Sequence, residues 1–153
     1  MKYFEDAEIG DVFHSPTPYH ITVEEIKSFA TQWDPQRYHL DEAEAAKTVG
    51  QLFAPAVLTI CISFKLTHES GYFDILPAAG LGIEDVKLPR PVFVDDRLHA
   101  KVTVVGKRAS NSKPDLGLLR HQTEVFNQDD ELVLSYAIPS LVYRRTAANG
   151  STP

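Results

Sequence analysis

The sequence predicts an α+β domain in which a mostly antiparallel sheet curls around one apolar helix. Helical segments come first and strand-like segments follow, joined by hairpin-type connections, an order that separates the two element types instead of alternating them. The segment from Ala54 to Glu69 is apolar nearly all round, and a helix of that kind belongs inside a domain. It falls short of the ~20 apolar residues of a membrane span.

Each element has a local reason. Glu8-Ile9-Gly10-Asp11 makes a turn into a short strand reaching His14. Thr22-Val23-Glu24-Glu25 has the form of a capping box, and Ile26, Phe29 and Ala30 follow at the spacing of one buried helix face. Pro35 stops that helix, because the residue before a proline is pushed out of the α region. Asp41-Glu42-Ala43-Glu44 caps a second short helix through Lys47. The central helix runs Val57, Leu58, Ile60, Cys61, Ile62, Phe64, Leu66 with little polar relief until its end.

Leu81 to Leu88 reads as a strand before the Pro89-Arg90-Pro91 break. Leu98, Ala100, Val102 and Val104 alternate with polar residues, the period of a half-buried strand. Asn111 to Gly117 is turn-rich, Leu118 to Phe126 is strand-like, Asn127 to Asp130 is a hairpin turn, and Leu132 to Tyr143 is the last strand. Without repeat or linker, residues 1–146 read as one domain. The small polar residues from Thr146 to Pro153 read as a frayed tail, disordered over 147–153.

Composition removes several functions. The chain has 153 residues, enough for one well-filled core, and a formal net charge of −6. That charge, with no basic run, argues against nucleic acid as a partner. A single cysteine, Cys61, excludes an intrachain disulfide and argues against a Cys-based zinc site. Its apolar neighbours predict a buried structural thiol. The start of the chain has no signal-peptide pattern, so a soluble cytoplasmic protein is expected, with no membrane partner. His14, His20, His68, His99 and His121 are scattered with no i,i+4 pair, and no metal site is expected. His99 and His121 are expected to be exposed on their strands. The chain has neither a Gly-rich phosphate loop nor a Gly-x-Ser-x-Gly elbow.

One stretch carries chemistry: Asp34-Pro35-Gln36-Arg37-Tyr38-His39-Leu40-Asp41. A carboxylate and an imidazole five residues apart would diverge on a regular helix, whereas a Pro-broken turn can aim both into one cleft. There one group takes a proton while the other gives one near neutral pH. The plainer alternative is that Asp34 caps a turn and His39 packs at a helix entrance.

With that stretch and Leu88-Pro89-Arg90-Pro91-Val92-Phe93-Val94-Asp95-Asp96-Arg97-Leu98, the chain resembles the MaoC-like dehydratase family from about Phe4 to Arg145. Active members of that family are R-specific enoyl-CoA hydratases with a hot-dog fold. Their catalytic motif runs Asp-x-Asn-Pro-aliphatic-His, and Asp34 and His39 stand at its two ends with the spacing intact. Gln36 replaces the Asn, and is expected to take over its turn-holding hydrogen bond. Arg37 replaces the Pro, and Arg37 and Tyr38 are expected on the surface.

The family opens its central helix with His-Gly, whose glycine N–H meets the thioester oxygen. Here Pro55 and Ala56 stand at that point, and Ala56 keeps the N–H while adding a methyl group.

The resemblance implies reversible hydration of trans-2-enoyl thioesters of CoA or an acyl carrier, without a cofactor beyond the thioester itself. It also implies at least a homodimer paired through the sheets. Lys87 and Arg90 are candidates for CoA phosphate contacts, against a plain role as solvated cations. Two alternatives stay open. One is an acyl-thioester binding protein without turnover, motivated by the altered motif. The other is a hot-dog thioesterase, which usually needs a carboxylate on the central helix; this chain has none between Ala54 and Thr67. Pocket depth is expected to depend on Tyr72, Phe73, Ile75 and Leu76.

Overall fold

The computed structural model describes residues 1–145, so the tail expected from Thr146 to Pro153 lies outside the described residues. A single-turn 3-10 helix, Phe4–Asp6, opens the chain. Strand β1 (Val12–His14) follows the Gly10 turn, where a φ of 97° suits glycine. A two-residue strand, β2 (Tyr19–His20), comes next and was too short to read from the sequence.

Helix α1 (Val23–Trp33) starts where the Thr22 hydroxyl accepts from the Glu25 amide at 3.3 Å. The other half of the expected capping box is not made. The Glu25 carboxylate instead accepts from the Tyr19 hydroxyl at 2.5 Å, tying β2 to α1. Burial, and then that carboxylate, push the Tyr19 phenol up to about 12. Pro35 ends α1 as expected. A single turn, α2 (Arg37–Leu40), and α3 (Glu42–Ala46) follow, the latter capped by the Asp41 carboxylate on the Glu44 amide at 2.9 Å.

The central helix α4 (Ala56–Glu69) buries Leu58, Thr59, Ile62, Ser63, Leu66 and Thr67. Its opposite side is not engulfed. Val57 is 54% exposed and Cys61 is exposed, which corrects the expectation of a buried thiol. The physical reason is that one sheet layer covers only one side of a helix. An all-apolar helix says that more of it must be covered, not that the same chain does the covering.

After a 3-10 turn over Tyr72–Asp74 come β3 (Pro77–Gly80), β4 (Glu84–Lys87), β5 (Arg97–Ala109), β6 (Leu116–Phe126) and β7 (Leu132–Tyr143). The seven-stranded sheet is antiparallel throughout, in the order β1-β5-β6-β7-β3, with β2 also on β5 and β4 also on β7. Strand β7 has the bounds expected from the sequence. Leu98, Ala100, Val102 and Val104 form the buried side of β5, as their alternation requires.

Two apolar clusters fill the side of the sheet that faces α4. One joins Leu58, Ile62 and Leu66 to Leu98, Ala100, Val125 and Leu134. The other gathers Phe4, Tyr72, Val104, Leu119 and Val142 at the far end. Between them β6 turns His121 and Thr123 inward, and His121 is 1% exposed. This corrects its expected exposure. Both faces of β6 mix polar with apolar residues, so alternation identifies the strand but not its phase. The face with Arg120, Gln122 and Glu124 is the costlier one to bury, and it turns outward. His99 is also less exposed than expected: it is half-buried, with its ring stacked on Phe126. No helix among the described residues is long and apolar enough to cross a membrane.

Candidate active site

Backbone hydrogen bonds shape the passage from α1 into α2. The Asp34 amide donates to Ala30 at 2.9 Å, the Gln36 amide to the Asp34 carbonyl at 2.7 Å, and the His39 amide to the Gln36 carbonyl at 3.0 Å. The Gln36 side chain makes no hydrogen bond among the described residues, so its expected turn-holding role is not seen. The backbone bonds already serve that purpose. His39 lies within α2, not in an open turn, and its side chain is only 5% exposed.

The environment of His39 sets its tautomer. Its Nδ1 lies 2.9 Å from the Phe53 carbonyl oxygen, which can only accept. Nδ1 therefore carries the proton, and in the neutral ring Nε2 has the free lone pair. Nε2 faces Asp34 Oδ2 at 3.6 Å. That is too long for a direct hydrogen bond and leaves the two atoms free to share a third partner.

Tyr38 and Phe53 flank the imidazole edge-to-face at 4.6 and 4.7 Å, and stack on each other at 5.4 Å. Tyr38 is thus a wall of the site and not the surface residue expected, whereas Arg37 is exposed.

The Leu88–Leu98 passage holds the carbonyl that orients His39. The Ala54 amide donates to Val92 at 2.8 Å and the Val94 amide to Leu52 at 3.3 Å, placing Phe53 opposite Phe93. Buried Asp96 fastens this segment by accepting from the Phe93 amide at 2.8 Å and from the Gln128 side chain at 2.9 Å. Asp95 beside it takes a left-handed φ of 68°, the conformation a glycine supplies more cheaply.

Ala56 opens α4 after Pro55, the N-cap residue. The first helical bond there runs from the Thr59 amide to the Pro55 carbonyl at 3.2 Å. The amides of Ala56, Val57 and Leu58 precede it, at the positive end of the helix dipole.

Asp34, His39 and Ala56 line one cavity of about 490 Å³, together with Tyr38, Phe53, Thr48, Thr59, Leu88, Arg90 and Val92. Of the two cationic candidates only Arg90 is there, 3.4 Å from Glu131 at its nearest oxygen. Lys87 lies on β4 and lines a separate cavity with Asp85 and Arg120. Tyr38, Phe53 and Thr59 were missed as site residues. For Thr59 a signal was present, since it stands three positions after Ala56 on the same helix. Among the described residues no cluster of three His, Cys, Asp or Glu side chains is placed to hold a metal.

The cleft brings an oriented imidazole, a facing carboxylate and a helix N-terminus together on one scaffold. The MaoC-like domain matches residues 5–124, and the chain belongs to that family. It is 30% identical over 141 residues to the Bacillus subtilis protein YdeM, covering 92% of this chain and 98% of that one. It is also 30% identical over 156 residues to a mesaconyl-CoA hydratase from Cereibacter sphaeroides, covering 99% of this chain but 44% of the relative. The chain therefore spans under half of that hydratase.

The crystal structure of a MaoC-like dehydratase from Rhodospirillum rubrum superposes with a TM-score of 0.84 at 33% identity, over 92% of this chain and 96% of that one. A Mycobacterium tuberculosis protein with a double hot-dog fold superposes with a TM-score of 0.79 at 22% identity, over 99% of this chain and 46% of that one. The architecture is the hot-dog fold, as expected.

Proposed function

We propose that this protein adds water reversibly to a trans-2-enoyl thioester, carried on CoA or an acyl carrier, to give the R-3-hydroxyacyl thioester. The observation that carries the reading is the facing of Asp34 Oδ2 and His39 Nε2 at 3.6 Å in a cavity that Ala56, the first residue of α4, also lines. A hydratase/dehydratase activity in general is supported by family membership and by the mesaconyl-CoA hydratase relative.

In this mechanism one water sits between the two side chains. Its oxygen attacks the β-carbon while the pair removes one of its protons. The pair returns a proton to the α-carbon, so both side chains end in their starting states. The Ala56 N–H holds the thioester oxygen as it gains enolate charge. Phe53, through Nδ1, keeps Nε2 as the free base. Arg90 at the cavity meets phosphate of the carrier group. No step needs a metal or redox partner.

The enzyme acts as a homodimer or larger assembly. Leu81, Ile83, Val86 and Leu88, in and around the edge strand β4, are exposed apolar side chains, and Val57 on α4 is exposed as well. An open apolar edge of this kind calls for a cover. Sedimentation at micromolar concentration gives a dimer or larger species; a stable monomer would remove this part of the reading. Cys61, an exposed free thiol, suits a reducing cytoplasmic setting.

Crotonyl-CoA tests the reaction against hydrolysis. Hydration bleaches the enoyl absorbance without releasing thiol. Thiol release would instead favour a thioesterase, and tight binding without either change would favour a non-catalytic acyl-thioester binding protein.

A further inference from the structure

Strand β4 lies at the edge of the sheet. It pairs with β7 on one side, and no strand among the described residues covers the other. All four of its residues, from Glu84 to Lys87, are exposed. An uncovered edge is a template for another strand, and charges and bulges commonly guard against that. β4 carries both, but in an arrangement that fits one partner.

The bulge decides which side chains share a face. Glu84 is opposite Ala137 and Lys87 is opposite Ser135, so three steps of β4 match two of β7. Asp85, with a left-handed φ of 54°, is the extra residue. Glu84 and Asp85 both accept from Arg120, at 3.1 and 3.3 Å, on the outer face of the sheet. Lys87 lines the outer cavity that holds Asp85 and Arg120. Ile83 instead lines a cavity on the α4 side with Phe64 and Phe73, and Leu88 lines the catalytic cavity with Ala56. With Asp85 set aside the faces alternate: Ile83 in, Glu84 out, Val86 in, Lys87 out, Leu88 in.

That order is its own complement when reversed about Val86. We propose that β4 pairs antiparallel with β4 of a second copy about a two-fold axis at Val86. Glu84 then faces Lys87 of the partner subunit, and Leu88 faces Ile83 of the partner subunit. The inference rests on the homodimer reading above and deepens it by fixing the register. Two-fold symmetry makes each contact twice. The outer face gains two cross-strand pairs of opposite charge, and on the inner face the row Ile83, Val86, Leu88 meets the same row reversed.

The charges also exclude other registers. A slip that sets Glu84 opposite Glu84 of the partner subunit, or Lys87 opposite Lys87 of the partner subunit, brings like charges together. Glu84 keeps Arg120 as its own-chain partner, while Lys87, which makes no ion pair among the described residues, gains one. Because Leu88 is a wall of the catalytic cavity, the pairing sets the partner's Ile83 against that wall.

The test places a cysteine on the axis, in a Cys61→Ser background that removes the native thiol. Residues directly opposite in an antiparallel pair have Cα atoms about 4.5–5.5 Å apart, within disulfide reach. Val86→Cys therefore crosslinks to its own copy under mild oxidation, and Glu84→Cys, displaced from its own copy along the strand, does not. In sedimentation Lys87→Glu weakens the dimer about tenfold or more, the scale of two exposed ion pairs turned into two repulsions, and adding Glu84→Lys restores it. Crotonyl-CoA hydration per chain falls as Lys87→Glu is diluted through its dissociation range. A stable dimer in which Val86→Cys stays uncrosslinked, or a double variant no tighter than Lys87→Glu, would overturn this register and leave the homodimer reading standing. A monomer at micromolar concentration would overturn both. Hydration that ignores dissociation would overturn the part of the partner's Ile83 in the cavity, and absence of hydration from every sample would overturn the reaction reading while the crosslink still decides the register.

Discussion

Asp34→Asn and His39→Ala each lower enoyl-thioester hydration by about 10²–10⁴-fold, the range of a positioned acid–base group. The double variant is little worse than either single, because two groups that share one water fail together. Their effects on stability differ. Asp34 has a half-buried side chain that accepts no direct bond from His39, so a near-isosteric amide leaves the melting temperature almost unchanged. His39 is buried, bonded to the Phe53 carbonyl and packed edge-to-face against the stacked rings of Tyr38 and Phe53. Its removal opens a hole and strands that carbonyl, at a cost of about 2–3 kcal/mol. Burial thus gives His39 a part in stability that Asp34 does not have. Activity per folded molecule, from titrated samples below the transition, is the quantity to compare. Activity that tracks the folded fraction in both variants would make the pair structural.

Folding stability falls in acid through His121. Its ordinary pKa of 6.5 applies to the unfolded chain, and burial lowers it to about 4 in the fold. Between those values the unfolded state binds a proton that the folded state refuses, so stability rises with pH across the window. The contribution is complete above pH 6.5 and lost on the way down to about 4. The shift amounts to roughly 3 kcal/mol at most. Tyr72 and Phe73, the rings packed on it, carry no charge there, since burial raises the Tyr72 phenol further. Urea unfolding of the protein and of His121→Phe across this range checks the point: the difference between the two curves should carry the slope. Parallel curves would show that His121 takes up its proton without opposing the fold.

Much of the architecture was readable because local signals and tertiary structure agree. Alternation placed β5 and its buried face, the Asn127–Asp130 turn set the start of β7, and Pro35 ended α1. Elements without a pattern long enough to detect were missed, above all β2 with two residues and β3 with its Pro-Ala-Ala-Gly sequence. The errors about His121 and Cys61 share another origin. Periodicity says that two faces differ, but which face is covered depends on the neighbouring strand or helix. The candidate site was readable at Asp34 and His39 because the motif is short and contiguous. Tyr38, Phe53 and Thr59 come to it from three separate segments, and only the fold brings them together. Lys87 lines a different cavity from its neighbour Leu88, a difference that sequence order does not show.

The most direct test is product analysis after incubating the protein with a trans-2-enoyl-CoA in D₂O. The Asp34–His39 mechanism gives an R-3-hydroxyacyl-CoA carrying one solvent deuteron at the α-carbon, with the thioester intact, and Asp34→Asn gives almost none. Free CoA as the product, the S alcohol, or unchanged enoyl-CoA at high enzyme concentration across chain lengths would contradict it.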